Sequence, residues 1–209
     1  MTETLIAAFV TFVVVIDPFG LAPLFAALVA GQAAAERRRI ALRGVLIAAA
    51  VLVGFAIGGQ SVLAYLGIGL PAFRIAGGIL LLLLAVDMVM ARQTGLRATT
   101  PPEEAESDAR DDVSVFPLAI PLIAGPGAMT SVVLLTASPQ GGLAGQAAIL
   151  AVLAVVLAAT LAAFLAAEHL MAVLGVTGVN VIGRVMGILL AGLSVQFVID
   201  GVRAVFGAA

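Results

Sequence analysis

The chain has 209 residues, of which 63% are hydrophobic and 11% are charged, and its mean hydropathy is +1.23. Because a soluble domain carries about 25% charged residues, this composition excludes an ordinary water-soluble monomer and indicates an integral membrane protein. The net charge of −2 gives no basis for nucleic-acid binding, and the absence of cysteine excludes disulfides and cysteine-based metal sites.

Six apolar stretches are long enough to cross a bilayer as helices, which takes about 20 residues each. In chain order they cover residues 5–29, 44–63, 68–90, 116–136, 143–166 and 181–206. We therefore predict an all-α membrane protein with six transmembrane helices. The first stretch has no basic segment before it and is longer than the apolar part of a signal peptide, so we expect it to be a span.

The connection after the third span differs from the others in composition. Residues 92–115 contain two adjacent prolines and six acidic residues. A segment with so little apolar surface has no core to bury, so it predicts a solvated linker on the cytoplasmic side. It separates two parts, residues 1–91 and 116–209, each with three predicted spans.

The distribution of arginine predicts the orientation in the membrane, because basic loops mark the cytoplasmic side. The connections after the second and fourth spans contain no arginine, and both termini are therefore predicted on the outer, periplasmic side of an inner membrane. Arg203 near the C-terminus is the exception. The basic connections follow the first and third spans and contain Arg37, Arg38, Arg39, Arg43, Arg92, Arg97 and Arg110.

The two halves of the chain repeat the same features in the same order. Pro18-Phe-Gly-Leu-Ala-Pro23 in the first span matches Pro121-Leu-Ile-Ala-Gly-Pro126 in the fourth. In the same way, Arg74-Ile-Ala-Gly opens the third span and Arg184-Val-Met-Gly opens the sixth. Because three spans per half is an odd number, the halves enter the membrane from opposite sides. This is the inverted repeat of many secondary transporters.

The paired prolines predict that helices 1 and 4 are broken, since each proline removes a backbone donor and clashes with the preceding turn. Broken backbone at membrane depth is tolerated only inside protein or beside a water-filled cavity. Interruptions in matching positions of two repeats mark the binding site of such proteins. The predicted substrate-binding residues at the two breaks are Asp17, Pro18, Phe19, Gly20, Leu21, Pro23, Pro121, Gly125, Pro126 and Gly127.

Asp17 is the most informative of these residues. A carboxylate inside a bilayer is expensive and is a functional candidate by default. It could bind a substrate ammonium or carry a coupling proton, and with Pro18 after it, it is also a good N-cap for a half-helix. The freed amides after each break favour an anion such as a carboxylate.

Two arginines and two glycine pairs leave alternatives open. Arg74 and Arg184 could hold a substrate carboxylate through bidentate contacts, or they could be interfacial residues that reach headgroups or pair with an acid. Arg74 could also meet Asp17 or Asp200 across helices. Small residues four apart let helices approach closely. We expect them to pack within one protomer, with a homo-oligomer as the alternative; the pairs are Gly54 with Gly58 and Gly183 with Gly187.

The motifs of common enzymes are absent from the sequence. It has no GxxxxGK[ST], HExxH or GxSxG pattern, and its single histidine, His169, has no cysteine partners for a metal. We therefore expect no cofactor and no enzymatic activity. Any transport work would be driven by an ion or solute gradient, or by a partner subunit.

Four segments resemble the MarC family of bacterial and archaeal inner-membrane proteins. They are VIDPFGLAPL (15–24), LGIGLPAFRIAGGILL (66–81), PLAIPLIAGPGA (117–128) and RVMGILLAGLSVQFVIDG (184–201). Relatives often have asparagine where this chain has Leu21. If that amide contacts the substrate in the relatives, the substrate selectivity of this chain differs from theirs. The resemblance implies a six-helix protein distantly similar to LysE-type amino acid exporters, with small neutral amino acids as substrates.

The leading hypothesis is a secondary transporter of a small neutral amino acid or a similar zwitterion. Its carboxylate would lie on half-helix amides near Gly20 and Gly125, and its ammonium would face Asp17. The alternatives are a passive channel for small neutral solutes and a membrane scaffold that transports nothing. An intramembrane enzyme is the weakest option, because the sequence shows no nucleophile–base pair.

Overall fold

A computed structural model describes residues 2–91, 113–137 and 142–207, and every regular element in these ranges is a helix. The first half contains α1 (Thr2–Ile16), α2 (Pro18–Leu28), α3 (Ala34–Tyr65) and α4 (Leu70–Val89). The second half contains α5 (Ser114–Ile123), α6 (Pro126–Ala137), α7 (Gly142–Leu165) and α8 (Ala167–Phe206). Residues 92–112 of the predicted linker lie outside the described ranges.

Five helical stretches are long and apolar enough to cross a bilayer: Thr2–Leu28, Ala34–Tyr65, Leu70–Val89, Gly142–Leu165 and Thr177–Phe206. Helices α5 and α6 meet at a bend of 58° and form the sixth span when they are counted together. Large apolar side chains cover the outer faces, with Ile57 73% and Ile188 63% exposed, as suits contact with lipid. The predicted all-α membrane fold is thus confirmed.

The second span begins earlier than predicted. Helix α3 starts at Ala34, so Arg37, Arg38 and Arg39 lie in its first turns rather than in a loop. The segment is rich in alanine and arginine, which are strong helix formers. The basic cluster nevertheless stays at the same end of the span, and the orientation argument is unchanged.

The connection between the fifth and sixth spans is largely helical, because α8 begins at Ala167, ten residues before the last span at Thr177. The helix is interrupted at Gly175, whose φ of 61° and ψ of 179° are accessible almost only to glycine. A short helical piece therefore precedes the last span. The apolar residues of 167–174 contain no proline to prevent helix formation, which explains the difference.

Helices α4 and α8 pack against each other in opposite directions. A Cβ on Gly78 would lie 2.7 Å from the carbonyl oxygen of Ser194, and a Cβ on Gly187 would lie 2.9 Å from Cβ of Met88. Residue 78 of α4 thus contacts residue 194 of α8, and residue 88 contacts residue 187, so the two helices are antiparallel. Glycine allows this close backbone approach.

The glycines also give the directions of the other neighbours of the fourth span. Gly44 and Gly59 of α3 face Leu118 and Val133, which lie the same number of residues apart, so α3 runs parallel to the α5–α6 span. Gly77 of α4 faces Thr130, whereas Leu81, one turn later on α4, faces Gly127. Helices α4 and α6 are therefore antiparallel.

Contacts between the two halves come in matching pairs. Helix α3 contacts α5 and α6, just as α7 contacts α1 and α2, and α4 contacts α6 just as α8 contacts α2. The matching helices α4 and α8 contact each other, as do α3 and α7. This pairing is what a two-fold relation between the halves would produce. The inverted repeat itself stays a prediction.

The two glycine pairs do not behave alike. A Cβ on Gly54 or Gly58 would meet no described atom within 4 Å, so the expected packing of this pair inside the protomer is wrong. Gly183 is likewise open, whereas Gly187 packs against α4. Both pairs have small residues four positions apart, but only Gly187 has another helix packed against it.

Candidate functional site

The first helix break is confined to Asp17, between α1 and α2. Its φ of 55° and ψ of 68° are left-handed, a conformation that aspartate tolerates better than most residues. The following Pro18 disfavours the right-handed helical conformation at Asp17 and itself suits the first helical position. Helix α2 then continues through Pro23. The predicted break is present but shorter than the Pro18–Pro23 motif.

The Asp17 carboxylate caps the half-helix that follows it. The side chain is 1% exposed, and its Oδ1 accepts a hydrogen bond from the Gly20 N–H at 3.1 Å. A Cβ on Gly20 would collide with Oδ2 of the same carboxylate. The N-terminus of α2 therefore already has an anion, which the protein itself supplies.

The second break is longer and has a different origin. Phe116 and Ile120, each followed by a proline, have extended backbone with φ of −131°. These residues interrupt α5, and its hydrogen bonds span five residues, as in the bond from the Ala124 N–H to the Ala119 carbonyl at 2.9 Å. Helix α5 ends at Ile123, and α6 begins at Pro126 in a new direction.

Helix α6 begins without a carboxylate of its own. Its first turn contains no acidic residue, in contrast to α2 with Asp17. The Met129 N–H donates to the Gly125 carbonyl at 3.0 Å, and the two preceding N–H groups, of Gly127 and Ala128, come too early for an intrahelical acceptor. Both residues are buried. These amides and the positive end of the helix favour an anion.

Residues beside the two breaks contact each other in the interior. A Cβ on Gly127 would lie 3.3 Å from Cγ1 of Val15, which is two residues before Asp17. Val15 also borders a cavity of about 20 Å³ at the second break, a volume that holds about one water molecule. The other residues that line the cavity include Leu80, Leu84, Pro121, Gly125, Pro126, Gly127 and Ala128.

The remaining residues predicted at the first break face different ways. Pro18 and Leu21 are buried, and Pro23 is half-buried. Phe19 is 46% exposed and turns away from the interior. Leu21 therefore belongs to the packed wall around Asp17, whereas the structure does not bring Phe19 into it.

Arg74 and Arg184 lie away from the breaks. Arg74 is in the second turn of α4, about 10 Å along the helix from Leu81, the residue that faces Gly127. Arg184 is exposed. Within the described ranges neither arginine forms a salt bridge, and Asp200 accepts a hydrogen bond from Gln196 at 2.8 Å. The structure brings neither arginine into the candidate site.

Two features of the structure had no counterpart in the sequence analysis. The Ser131 hydroxyl in α6 is fully buried and has no hydrogen-bond partner among the described residues. Arg37 in α3 forms an ion pair with Glu168 in α8 and so connects the two halves at one end. An isolated serine or a distant charge pair gives no sequence pattern, so only the folded chain shows them.

Comparisons with known proteins cover nearly the whole chain. The model of the MarC family integral membrane proteins matches residues 2–206. A UPF0056 membrane protein of Aquifex aeolicus is 35% identical over 198 residues, which are 95% of this chain and 92% of the relative. MJ1677 of Methanocaldococcus jannaschii is 34% identical over 199 residues, 95% of both chains. YhcE of Escherichia coli is 32% identical over 198 residues, 95% of this chain and 91% of the relative. No solved structure matches this chain significantly.

Proposed function

This chain belongs to the MarC family of integral membrane proteins, and we propose that it is a secondary transporter of small neutral amino acids or similar zwitterions. The observation that carries this proposal is the buried contact between Val15, two residues before the break at Asp17, and Gly127, just after the break before Pro126. Paired discontinuous helices at the interface of two repeats are the usual binding site of secondary transporters.

The two breaks differ in charge, and the difference suits a zwitterion. The first break presents the buried Asp17 carboxylate, which would attract a substrate ammonium. The second presents the free amides at the start of α6, which would attract a substrate carboxylate. A molecule with both charges satisfies both ends, whereas a cation or an anion alone satisfies one.

The walls of the site favour a small, uncharged side chain. Val15, Leu80 and Leu84 border the cavity, and its volume of about 20 Å³ is far below the roughly 300–1,000 Å³ of ordinary ligand pockets. Substrate entry therefore requires the two halves to separate around the breaks. Alanine and glycine need the least additional space, and a gradient such as that of protons, taken up through Asp17, would drive the cycle.

The proposal includes an orientation and a location. Arg37, Arg38 and Arg39 cluster at the beginning of α3, and basic residues favour the cytoplasmic side. We therefore place the protein in the inner membrane with both termini in the periplasm. We also propose a transporter rather than an enzyme, since its free amides and carboxylate suit binding and no nucleophile–base pair accompanies them.

The test is transport by the purified protein in liposomes. We expect saturable uptake of labelled alanine or glycine, counterflow on preloading with unlabelled substrate, and a rise in melting temperature with the same ligands. Uptake without saturation or counterflow would indicate a channel instead. If a panel of zwitterions gave no uptake, no counterflow and no thermal shift, the proposed substrate class would be wrong.

A further inference from the structure

The buried hydroxyls of the helices fall into two groups. Thr136, Thr160 and Ser194 donate to carbonyl oxygens of their own preceding turns, at 2.6, 2.9 and 2.7 Å respectively. This is the ordinary way in which a helical hydroxyl is satisfied in an apolar setting. Ser131 is 0% exposed, yet its Oγ has no partner within the described part of the chain. Such a group is costly unless a further partner binds it.

Ser131 lies on the face of α6 that contains the second break. It is four residues after Gly127, and residues at this spacing lie above one another on a helix. Gly127 faces Val15 and Leu81 beside the cavity. Helical side chains lean toward the N-terminus of their helix, so the Ser131 hydroxyl leans toward the free amides at the start of α6. The Leu81 side chain covers Gly127, with its Cδ2 2.5 Å from the position of a Cβ there, so a ligand reaches both the amides and Ser131 only when α4 moves away from α6.

The opposite wall also presents a hydroxyl. Consecutive spans joined by a short connection are antiparallel, and α3 is parallel to the α5–α6 span, so α1 and α6 run in opposite directions. Val15 of α1 contacts Gly127 of α6. In an antiparallel pair the next turn brings Thr11, four residues before Val15, opposite Ser131, four residues after Gly127. Thr11 is buried, at 5% exposure. The polar wall thus continues one turn beyond the cavity.

We propose that Ser131 is the specificity-determining donor for the substrate carboxylate, a role that rests on the transport function proposed above. The Gly127 and Ala128 amides lie in the first turn of α6, the Ser131 hydroxyl adds a donor one turn further along the same helix, and no acid in the first turn competes for them. Hydrogen bonds to an ionised carboxylate are about twice as strong as neutral ones. Ser131 would therefore discriminate carboxylates from neutral analogues.

The test compares Ser131→Ala with Ser194→Ala, because both serines are fully buried and only Ser194 has a hydrogen bond. Binding of L-alanine and of L-alaninamide, which lacks the ionised carboxylate, is measured by calorimetry, together with melting temperatures without ligand. We expect Ser131→Ala to melt at or above the wild-type temperature, since it removes an unsatisfied group. Its affinity for L-alanine should fall about tenfold, and its affinity for L-alaninamide much less. Ser194→Ala should melt lower and bind L-alanine as the wild type does.

Three results would overturn this assignment while the transport function stands. They are wild-type affinity of Ser131→Ala for L-alanine, an equal loss of affinity for L-alanine and L-alaninamide, and a fall in melting temperature as large as that of Ser194→Ala. A wild-type protein that binds neither L-alanine nor any other zwitterion would overturn the transport function itself, and the role of Ser131 with it.

Discussion

The Asp17 carboxylate fills the space that a Cβ at Gly20 would need, and it accepts the Gly20 N–H at 3.1 Å. The two residues therefore depend on each other for the shape of the first break. The same carboxylate is the acidic group of the proposed substrate site. The capping role of Asp17 and its proposed transport role therefore overlap, and a variant that keeps the cap but removes the charge separates them.

Replacing Asp17 by asparagine should abolish accumulation of alanine while leaving stability close to that of the wild type. Asparagine retains an oxygen for the Gly20 N–H and tolerates left-handed backbone, but it removes the charge. Asp17→Ala loses both features and should reduce the free energy of unfolding by about 2–3 kcal/mol. Liposome uptake and thermal unfolding of the two variants are the measurements. Wild-type accumulation by Asp17→Asn would leave only the capping role.

Gly20→Ala should destabilise the protein and weaken transport, because the new methyl group displaces the Asp17 carboxylate from the Gly20 N–H. An unsatisfied buried amide costs about 1–3 kcal/mol. Gly58→Ala is the matched control, since its Cβ would meet no described atom within 4 Å. Alanine in a helix at this position should be neutral or slightly stabilising. Equal melting temperatures of the two variants would show that the cap contributes little.

Gly78→Ala should lower the free energy of unfolding by about 1–3 kcal/mol through overpacking of α4 against α8. The Cβ would lie 2.7 Å from the carbonyl oxygen of Ser194. This oxygen belongs to the backbone, so a change of side-chain rotamer cannot relieve the clash. Gly192→Ala, where a Cβ would be in open space, should cost nothing. Unfolding of both variants in one detergent checks this. A Gly78→Ala variant as stable as Gly192→Ala would contradict the close antiparallel contact.

Linking positions 37 and 168 should stop transport. Arg37 and Glu168 pair across the two halves at the end of α3, so a covalent link there opposes the separation that substrate entry requires. The chain has no native cysteine, and the Arg37→Cys/Glu168→Cys variant can be treated directly with a reducible bifunctional thiol reagent. Uptake should return on reduction, and each single-cysteine variant should be unaffected. Undiminished uptake by the linked protein would mean that this end does not open.

Single cysteines should also report the orientation. Thr2→Cys and Arg38→Cys place thiols at exposed positions near opposite ends of the first two spans. In intact cells a membrane-impermeant maleimide should label position 2 and should reach position 38 only after permeabilisation. The opposite pattern would reverse the predicted topology, and labelling of both positions in intact cells would exclude it.

The sequence predicted the features that depend on local chemistry. Proline at positions 18, 121 and 126 was sufficient to locate both breaks, because the missing N–H and the restricted preceding residue act within a few residues. Asp17 was correctly expected as a cap for the same reason. The five-residue hydrogen bonds at the second break were not predicted, since they depend on how two prolines are accommodated together.

Features that depend on which faces meet were predicted less well. The Gly54–Gly58 and Gly183–Gly187 pairs have the same spacing, but only Gly187 finds a helix opposite. Arg74 and Arg184 begin matching spans, and the sequence does not show which part of each span faces the breaks. In the structure Leu81 of α4 faces Gly127, whereas Arg74 is about 10 Å away along the helix and Arg184 is exposed. Ser131 was not predicted, because the sequence does not show that its hydroxyl is buried without a hydrogen-bond partner among the described residues.

The left-handed turn at Gly175 divides the final helix into a short leading piece and a long trailing one. Glu168 lies on the leading piece. Its ion pair with Arg37 therefore connects the first half to this short helical piece rather than to the last span. Because glycine has access to backbone conformations that other residues lack, the leading piece and the last span can take different directions at Gly175.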